Sequence, residues 1–396
     1  MAASAGVSDV GLYLRRMVGR DPGEEHRVST PLELLFDLCF VVAVAAASAQ
    51  LHHGIADGHR VAILQYAMVF FAIWWAWMNF TWFASAYDTD DVPYRLLTLL
   101  QIAGGLVLAA GVPSVFHDYD FAVVTVGYVV MRVAMVGQWL RAARQDPASR
   151  GATVRYAVGV GVVQLGWVLR LLLPGTAGLV GFLVLFVAEL AVPAVAEAHG
   201  RETPWHPGHI NERYGLFTLI VLGECVAAAA VGVQSAITDR GLSAGLLVTA
   251  GGGLVLLFSM WWLYFKHEAT AGLKIRQSQN LLWGYSHYVV FASVAAVGTG
   301  LTLAADGETP ATVVAFAIAI PTCCYLATSA YLHGLLLPGS VPVVTLAATI
   351  VLILATAAVA GALGLPASVA VIAALVAILL VVSIRAGRRA GSAHPA

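Results

Sequence analysis

The amino-acid sequence predicts an all-α polytopic membrane protein, and three observations support this prediction. First, 60% of the 396 residues are hydrophobic and only 11% are charged, with a mean hydropathy of +0.83, whereas soluble domains carry about 25% charged residues. Second, apolar runs recur along the chain at the length of roughly 20 residues that a membrane-crossing helix needs. Third, Lys and Arg are concentrated in every second connection between these runs.

Twelve apolar segments separated by polar breaks are predicted to be membrane-spanning helices. The first opens with a capping-box sequence that has proline at the first helical position, Thr30-Pro31-Leu32-Glu33. The fifth is short and contains Arg170, whose charged head we expect to reach the membrane surface. The last two are simple runs of Val, Ala and Leu. In chain order the segments are residues 32–52, 61–84, 96–116, 121–140, 156–173, 177–197, 214–235, 242–265, 281–304, 311–336, 341–363 and 367–384.

The distribution of basic residues predicts the orientation of the chain. If the N-terminus is cytoplasmic, 17 of the 21 Lys and Arg residues fall on inner segments, while the outer loops hold only Arg60 and Arg240. The positive-inside rule demands this asymmetry. We therefore predict a multi-pass protein of the cytoplasmic membrane whose N-terminal segment, residues 1–28, and tail, residues 387–396, are both cytoplasmic.

An internal repeat is indicated by a shift of 187 residues along the chain. This shift aligns Phe71–Trp75 with Phe258–Trp262 and places Asp37 on Glu224. Six helices separate the counterparts, so both copies would insert with the same orientation, as in transporters built from parallel repeats. The predicted first six-helix half is residues 29–200, and the second is residues 201–386.

Ionisable side chains within the first and seventh spans are candidate functional residues, because each costs on the order of 3 kcal/mol in the membrane. Glu33 and Asp37 lie four residues apart and so share one helix face. Glu33 is either a helix cap or a site residue, whereas Asp37 is beyond the reach of the cap. The seventh span follows His209, Glu212 and Arg213.

Three further charged residues fall deep within predicted spans. Glu224 lies near the middle of the seventh span, and Glu189 precedes Pro193 by one turn in the sixth. Arg132, deep in the fourth span, needs an acidic partner, and the sequence leaves Asp37, Glu189 and Glu224 as alternatives.

The sequence predicts no metal site, no cofactor and no nucleic-acid partner. The four cysteines lie in apolar runs without CxxC spacing, and no HExxH, GxSxG or phosphate-loop pattern occurs. His199, His206 and His209 are too loosely spaced for more than a weak metal signal. The 21 basic and 22 acidic residues leave no positive field for a phosphate backbone.

Two blocks of the sequence resemble the bacterial low temperature requirement protein A family. They are Pro31–Leu38 and the stretch from His209 through Phe217 to Glu224. Leu35 stands where the family often has a second aromatic residue, and Cys225 where it often has serine, so neither departure removes a charge. The resemblance extends from about residue 26 onward and implies a bacterial membrane protein without implying a substrate. The residues that it emphasises are Glu33, Asp37, His209, Glu212, Arg213 and Glu224.

These observations lead to a functional hypothesis with two alternatives. The leading hypothesis is a proton-coupled secondary transporter of a small solute, with Asp37 and Glu224 at corresponding places in the two halves. Its expected partners are membrane lipids, the solute and protons. One alternative is a membrane-embedded enzyme acting on lipid or isoprenoid groups, with His209, Glu212 and Glu224 as acid and base groups. The other is a non-catalytic membrane protein linked to cold adaptation.

Overall fold

A computed structural model of the chain describes residues 13–25, 27–266, 280–336 and 342–392, without the side chains of residues 333–336 and 387–392. Within those residues the secondary structure is helical and contains no strand. The predicted N-terminal segment and tail are therefore described only from residue 13 and up to residue 392. The long helices are α1 Pro31–Ala56, α2 Val61–Tyr87, α3 Val92–Asp118, α4 Ala122–Gln145, α5 Arg150–Arg170, α6 Gly175–Glu197, α7 Pro207–Arg240, α8 Ala244–Phe265, α9 Asn280–Asp306, α10 Ala311–Leu336, α11 Val343–Ala358 and α12 Leu365–Ser392.

The predicted fold class is confirmed, since each of the twelve predicted segments is a helix. Among the described residues, eleven helices are long and apolar enough to cross a membrane. Helix α11 has only 16 residues and is followed by a four-residue helical turn, Ala360–Leu363. Gly364, with φ of 85°, ends this turn in a conformation that favours glycine. The predicted span 341–363 is therefore broken near its end.

Helix α7 differs most from its prediction, because it begins at Pro207 and ends at Arg240 instead of covering only residues 214–235. The polar stretch from His209 to Arg213 is helical and lies inside the protein, where His209 and Arg213 are fully buried. Hydropathy excluded this stretch from the span because the charges that compensate it lie elsewhere in the chain.

The chain forms two compact units. One contains Met1–Ala43 and Ala72–Arg213, and the other contains Val44–Phe71 and Tyr214–Ala396. Helices α1, α2 and α7 each contribute residues to both units. The parallel duplication into halves 29–200 and 201–386 stays a prediction.

In the first unit, helices α3 and α4 pack closely against each other. A Cβ atom at Gly127 would lie 2.4 Å from the backbone nitrogen of Leu108 and 2.6 Å from the carbonyl oxygen of Gly104. Only residues without side chains allow the two backbones to approach this closely, as is common between membrane helices.

Contacts within the first unit bring alternate connections to one end of the helices. The backbone nitrogen of Arg20 donates to the carbonyl of Ala86 at 3.0 Å, and that of Met17 donates to the side chain of Gln145 at 2.7 Å. The segment before α1, the α2–α3 turn and the end of α4 therefore meet. This alternation agrees with the up-and-down order of the predicted spans.

Candidate functional site

Glu33 caps helix α1, and its carboxylate also contacts buried cationic side chains. Its Oε2 accepts a hydrogen bond from the backbone nitrogen of Thr30 at 2.8 Å. The backbone nitrogen of Glu33 in turn donates to Oγ1 of Thr30 at 3.3 Å, which completes the capping box. The cap uses one carboxylate oxygen and leaves Oε1 facing the protein interior.

Three positively charged or chargeable side chains converge on Oε1 of Glu33. Nη1 of Arg213 and Nε2 of His209 each lie 3.1 Å from it. Nη2 of Arg27, from the segment before α1, lies 3.5 Å away. The side chains of Glu33, His209 and Arg213 are 0% exposed and that of Arg27 is 2% exposed. Glu33 therefore joins the start of α1 to the start of α7.

Asp37 lies one turn farther along α1 and binds the same arginine. Nη2 of Arg213 donates to Oδ1 of Asp37 at 2.6 Å, and Nε of Arg213 donates to Oδ2 at 3.1 Å. Nε1 of Trp77 in α2 donates to Oδ1 at 2.7 Å. Two acidic residues spaced four apart on α1 thus face His209 and Arg213, which are spaced four apart on α7. Because the spacing is equal, both pairs lie along facing sides of the two helices.

Asp88, in the turn between α2 and α3, extends this group of charges toward the end of the helices. Its Oδ2 lies 3.7 Å from Nη1 of Arg27 and 4.0 Å from Nη1 of Arg20, and its side chain is 3% exposed. Burial, together with the charge of Glu33, raises the pKa of Asp88 to about 6, although Arg27 partly offsets the rise.

We call these six residues the Glu33 cluster: Arg27, Glu33, Asp37, Asp88, His209 and Arg213. It contains three carboxylates and two guanidinium groups, so with a neutral imidazole it is one proton short of electrical neutrality. Nδ1 of His209 and the hydroxyl of the adjoining Tyr94 are buried and have no hydrogen-bond partner among the described residues. Such unsatisfied polar atoms are uncommon in protein interiors and mark sites that need an explanation.

Glu189 forms a separate site in which four side chains lie against its carboxylate. Its carboxylate accepts hydrogen bonds from Nε1 of Trp75 at 2.7 Å, the Tyr128 hydroxyl at 2.8 Å and Nε1 of Trp167 at 3.1 Å. Nη2 of Arg132 lies 3.4 Å from both oxygens and also donates to the Tyr128 hydroxyl. Of the three acids considered as partners of Arg132, the structure selects Glu189. One carboxylate and one guanidinium balance each other here, as in a structural brace.

The remaining predicted site residues lie outside both groups. Oε1 of Glu212 accepts a hydrogen bond from the backbone nitrogen of Ser29 at 3.2 Å and so anchors the segment before α1. Glu224 is half-buried and makes no hydrogen bond or ion pair with a described residue. Of the three alternatives that the sequence left open for Arg132, Glu224 is therefore excluded.

The guanidinium group of Arg170 is buried within the protein instead of extending into solvent, which corrects another expectation. Nε of Arg170 donates to the carbonyl of Gly178 at 2.9 Å, and the guanidinium lies 4.4 Å from the ring centroid of Phe121. A carbonyl acceptor and a nearby aromatic face stabilise the charge where it stands.

Sequence reasoning missed the partners supplied by polar residues near helix ends and by aromatic side chains. Arg27 and Asp88 stand just outside predicted spans, where charges are ordinary, and Trp77 and Trp167 belong to apolar runs. A buried tryptophan nitrogen normally requires a hydrogen-bond acceptor. This requirement could have indicated that Trp77 and Trp167 donate to buried acceptors. Within the described residues, no group of three or more His, Cys, Asp or Glu side chains is arranged to hold a metal ion.

Comparisons with known proteins show which protein family this sequence matches. Residues 28–384 match the family model described as bacterial low temperature requirement A protein (LtrA). An uncharacterized protein of Rhizobium meliloti (strain 1021) is 30% identical over 307 residues, which is 71% of each chain. The matched region contains Glu33, Asp37, Asp88, His209 and Arg213.

Proposed function

The chain belongs to the bacterial low temperature requirement A family, and from this premise we propose that it is a proton-coupled secondary transporter of a small solute. The Glu33 cluster is its proton-binding site. The observation that carries this proposal is an excess of buried carboxylates. Within a helical membrane protein, three carboxylates face two guanidinium groups and one imidazole.

The cost of burial argues for function at this cluster. Ionisable groups within the membrane are costly and mark ion or substrate pathways by default. The Glu189–Arg132 pair resembles a structural brace, because one carboxylate faces one guanidinium group and their charges are equal. The Glu33 cluster instead has three carboxylates for two guanidinium groups, so it can change its charge by one proton while its members stay in contact.

The proposed location of the Glu33 cluster is near the cytoplasmic surface of the membrane. The segment before α1 is rich in arginine, and it contacts the end of α4, which carries Arg141 and Arg144. Under the positive-inside rule this end of the helices faces the cytoplasm. The proposed orientation has both termini in the cytoplasm of a bacterial cell.

Glu224 supplies a second candidate proton carrier within the same helix as Arg213. It is half-buried and has no partner among the described residues, so an amide at this position would disturb few contacts. In the proposed duplicated architecture Glu224 is the counterpart of Asp37.

Reconstituted vesicles provide the test. Purified protein is placed in proteoliposomes with a trapped pH-sensitive dye and a fixed outward pH gradient, and mixtures of amino acids, organic acids, sugars and simple cations are added outside. We expect at least one mixture to change the internal pH with wild-type protein. Glu33→Gln keeps the size of the side chain but removes one of the three carboxylates, so the cluster no longer gains neutrality by binding a proton, and this variant should lose the response.

Glu189→Gln is the matched control, because it removes a buried carboxylate that has no proposed role in proton transfer. It should lower stability and leave the response of the surviving protein intact. An unchanged response in Glu33→Gln would contradict the proposal. A deletion strain with altered membrane lipids but unaltered solute uptake would instead favour a lipid-modifying enzyme.

A further inference from the structure

We propose that Asp88 is the residue through which the Glu33 cluster exchanges its proton with water, and that Arg27 transmits the charge of Asp88 to Glu33. This inference deepens the proposed function and rests on it for its biological meaning. The protonation of Asp88 itself can be measured without any transport assay.

The exposure of the charged side chains decreases in steps from the surface to Glu33. Arg20 and Glu24 form an outer pair at 2.8 Å, with side chains 30% and 37% exposed. Arg20 touches Asp88, whose side chain is 3% exposed. Arg27, at 2% exposure, links Asp88 to Glu33, which is completely buried. Asp88 is therefore the carboxylate of the cluster that lies nearest to water.

Arg27 is shared between two carboxylates. Its Nη1 lies 3.7 Å from Asp88, its Nη2 lies 3.5 Å from Glu33, and Nη2 also donates to the carbonyl of Ala84 at 2.8 Å. A guanidinium stays charged in proteins, so the proton cannot pass through it. A proton taken from water by Asp88 removes one negative charge beside Arg27, and the cluster changes from a net charge of −1 to neutrality. The full charge of Arg27 is then available to Glu33.

The groups that surround Asp88 determine the pH at which its carboxyl group titrates. The charged groups that act on it are Glu33 from α1, Arg20 and Arg27 from the segment before α1, and Asp90 from its own turn. The Tyr94 hydroxyl faces it from α3. Burial is the largest influence and raises the pKa of Asp88 to about 6.

The neighbouring Asp91 shows that burial alone does not produce this behaviour. It is fully buried, and burial by itself would raise its pKa. However, hydrogen bonds from Arg141, from the backbone nitrogen of Arg15 and from that of Tyr94 lower the pKa of Asp91 to about 2. Asp91 thus stays ionised, whereas Asp88, which has only distant and shared cations, accepts the proton.

Infrared difference spectroscopy on the purified full-length protein tests the assignment. Spectra recorded from about pH 5 to about pH 8 should show a protonated-carboxyl band that disappears with a midpoint near the pKa of Asp88. Asp88→Asn, which is nearly isosteric, should lose this band. Asp57→Asn, which alters an exposed carboxylate in the turn after α1, should retain it. Arg27→Gln should move the midpoint upward by about one pH unit, because a neighbouring cation has been removed.

The outcomes separate this inference from the proposed function. A wild-type spectrum without a titrating band, or a band unchanged in Asp88→Asn, would overturn the role of Asp88. If the band is lost in Asp88→Asn but wild-type vesicles move no solute, the role of Asp88 as proton acceptor stands and transport is refuted. If solute uptake still responds to the pH gradient in Asp88→Asn as it does in wild type, transport stands and this inference is refuted.

Discussion

Replacement of Arg213 by methionine should destabilise the protein strongly, because it leaves Asp37 as an uncompensated buried charge. Glu33 would keep Arg27 at 3.5 Å and His209 at 3.1 Å. Asp37 would keep only the hydrogen bond from Trp77 at 2.7 Å. Removing one partner of a buried ion pair costs about 3–5 kcal/mol of unfolding free energy, and we expect Arg213→Met to fall in this range.

The effect of Asp37→Asn should be smaller. The amide oxygen can still accept from Trp77 and Arg213, and Arg213 keeps its contact with Glu33 at 3.1 Å. We expect a loss of about 1–3 kcal/mol, the usual cost of a weakened buried hydrogen bond to a charged group. In the double variant no carboxylate is left unpaired at position 37, so its cost should be smaller than the sum of the two single costs by about 1–3 kcal/mol.

Reversible unfolding in mixed detergent micelles, followed by tryptophan fluorescence, measures these free energies. Arg95→Met is the matched control, because Arg95 pairs with Asp90 at 2.7 Å while both side chains are about half exposed. An exposed pair of this kind contributes about 0–1 kcal/mol. The reasoning would be refuted if the unfolding free-energy losses of Asp37→Asn and Arg213→Met are strictly additive in the double variant. It would also be refuted if Arg213→Met costs no more than Arg95→Met.

Three further predictions concern other parts of the chain. Glu189→Gln should lower the free energy of unfolding by about 3 kcal/mol, since it leaves Arg132 without its counter-charge, and thermal unfolding will measure this. Stability should fall as the pH rises through about 6, because the raised pKa of Asp88 means that the folded state binds its proton more tightly than the unfolded state. The loss is about 3 kcal/mol in total, and Asp88→Asn should flatten this part of the profile. Gly127→Ala should cost about 1–3 kcal/mol through backbone overlap, whereas Gly161→Ala, with no atom within 4 Å of the added group, should be neutral or stabilising in the same thermal assay.

Helix α7 shows why a boundary can be misplaced by hydropathy. The average hydropathy of the residues from His209 to Arg213 is that of a polar segment, so the predicted span began only at residue 214. In the structure this stretch is helical, and His209 and Arg213 are buried in it because Glu33 and Asp37 of α1 lie opposite them. A hydropathy average contains no information about a partner almost 180 residues away.

Glu33 shows how far local sequence reasoning reached. The capping box was evident from four consecutive residues, and the structure contains its two hydrogen bonds. The second role of Glu33, as partner of Arg27, His209 and Arg213, depends on helix packing. A cap lies within one turn and can be recognised from spacing alone, whereas an ion pair between helices cannot.

The sequence by itself determined the helical membrane architecture and identified which charges are costly to bury. Both follow from properties that accumulate along the chain, namely the length of apolar runs, the periodicity of a helix and the uneven distribution of Lys and Arg. Only the tertiary structure decided that Asp37 binds Arg213, that Glu189 binds Arg132 and that Asp88 approaches Arg27. Helical periodicity specifies the direction in which a side chain leaves its own helix, but the residue that stands opposite is set by the packing of all the helices together.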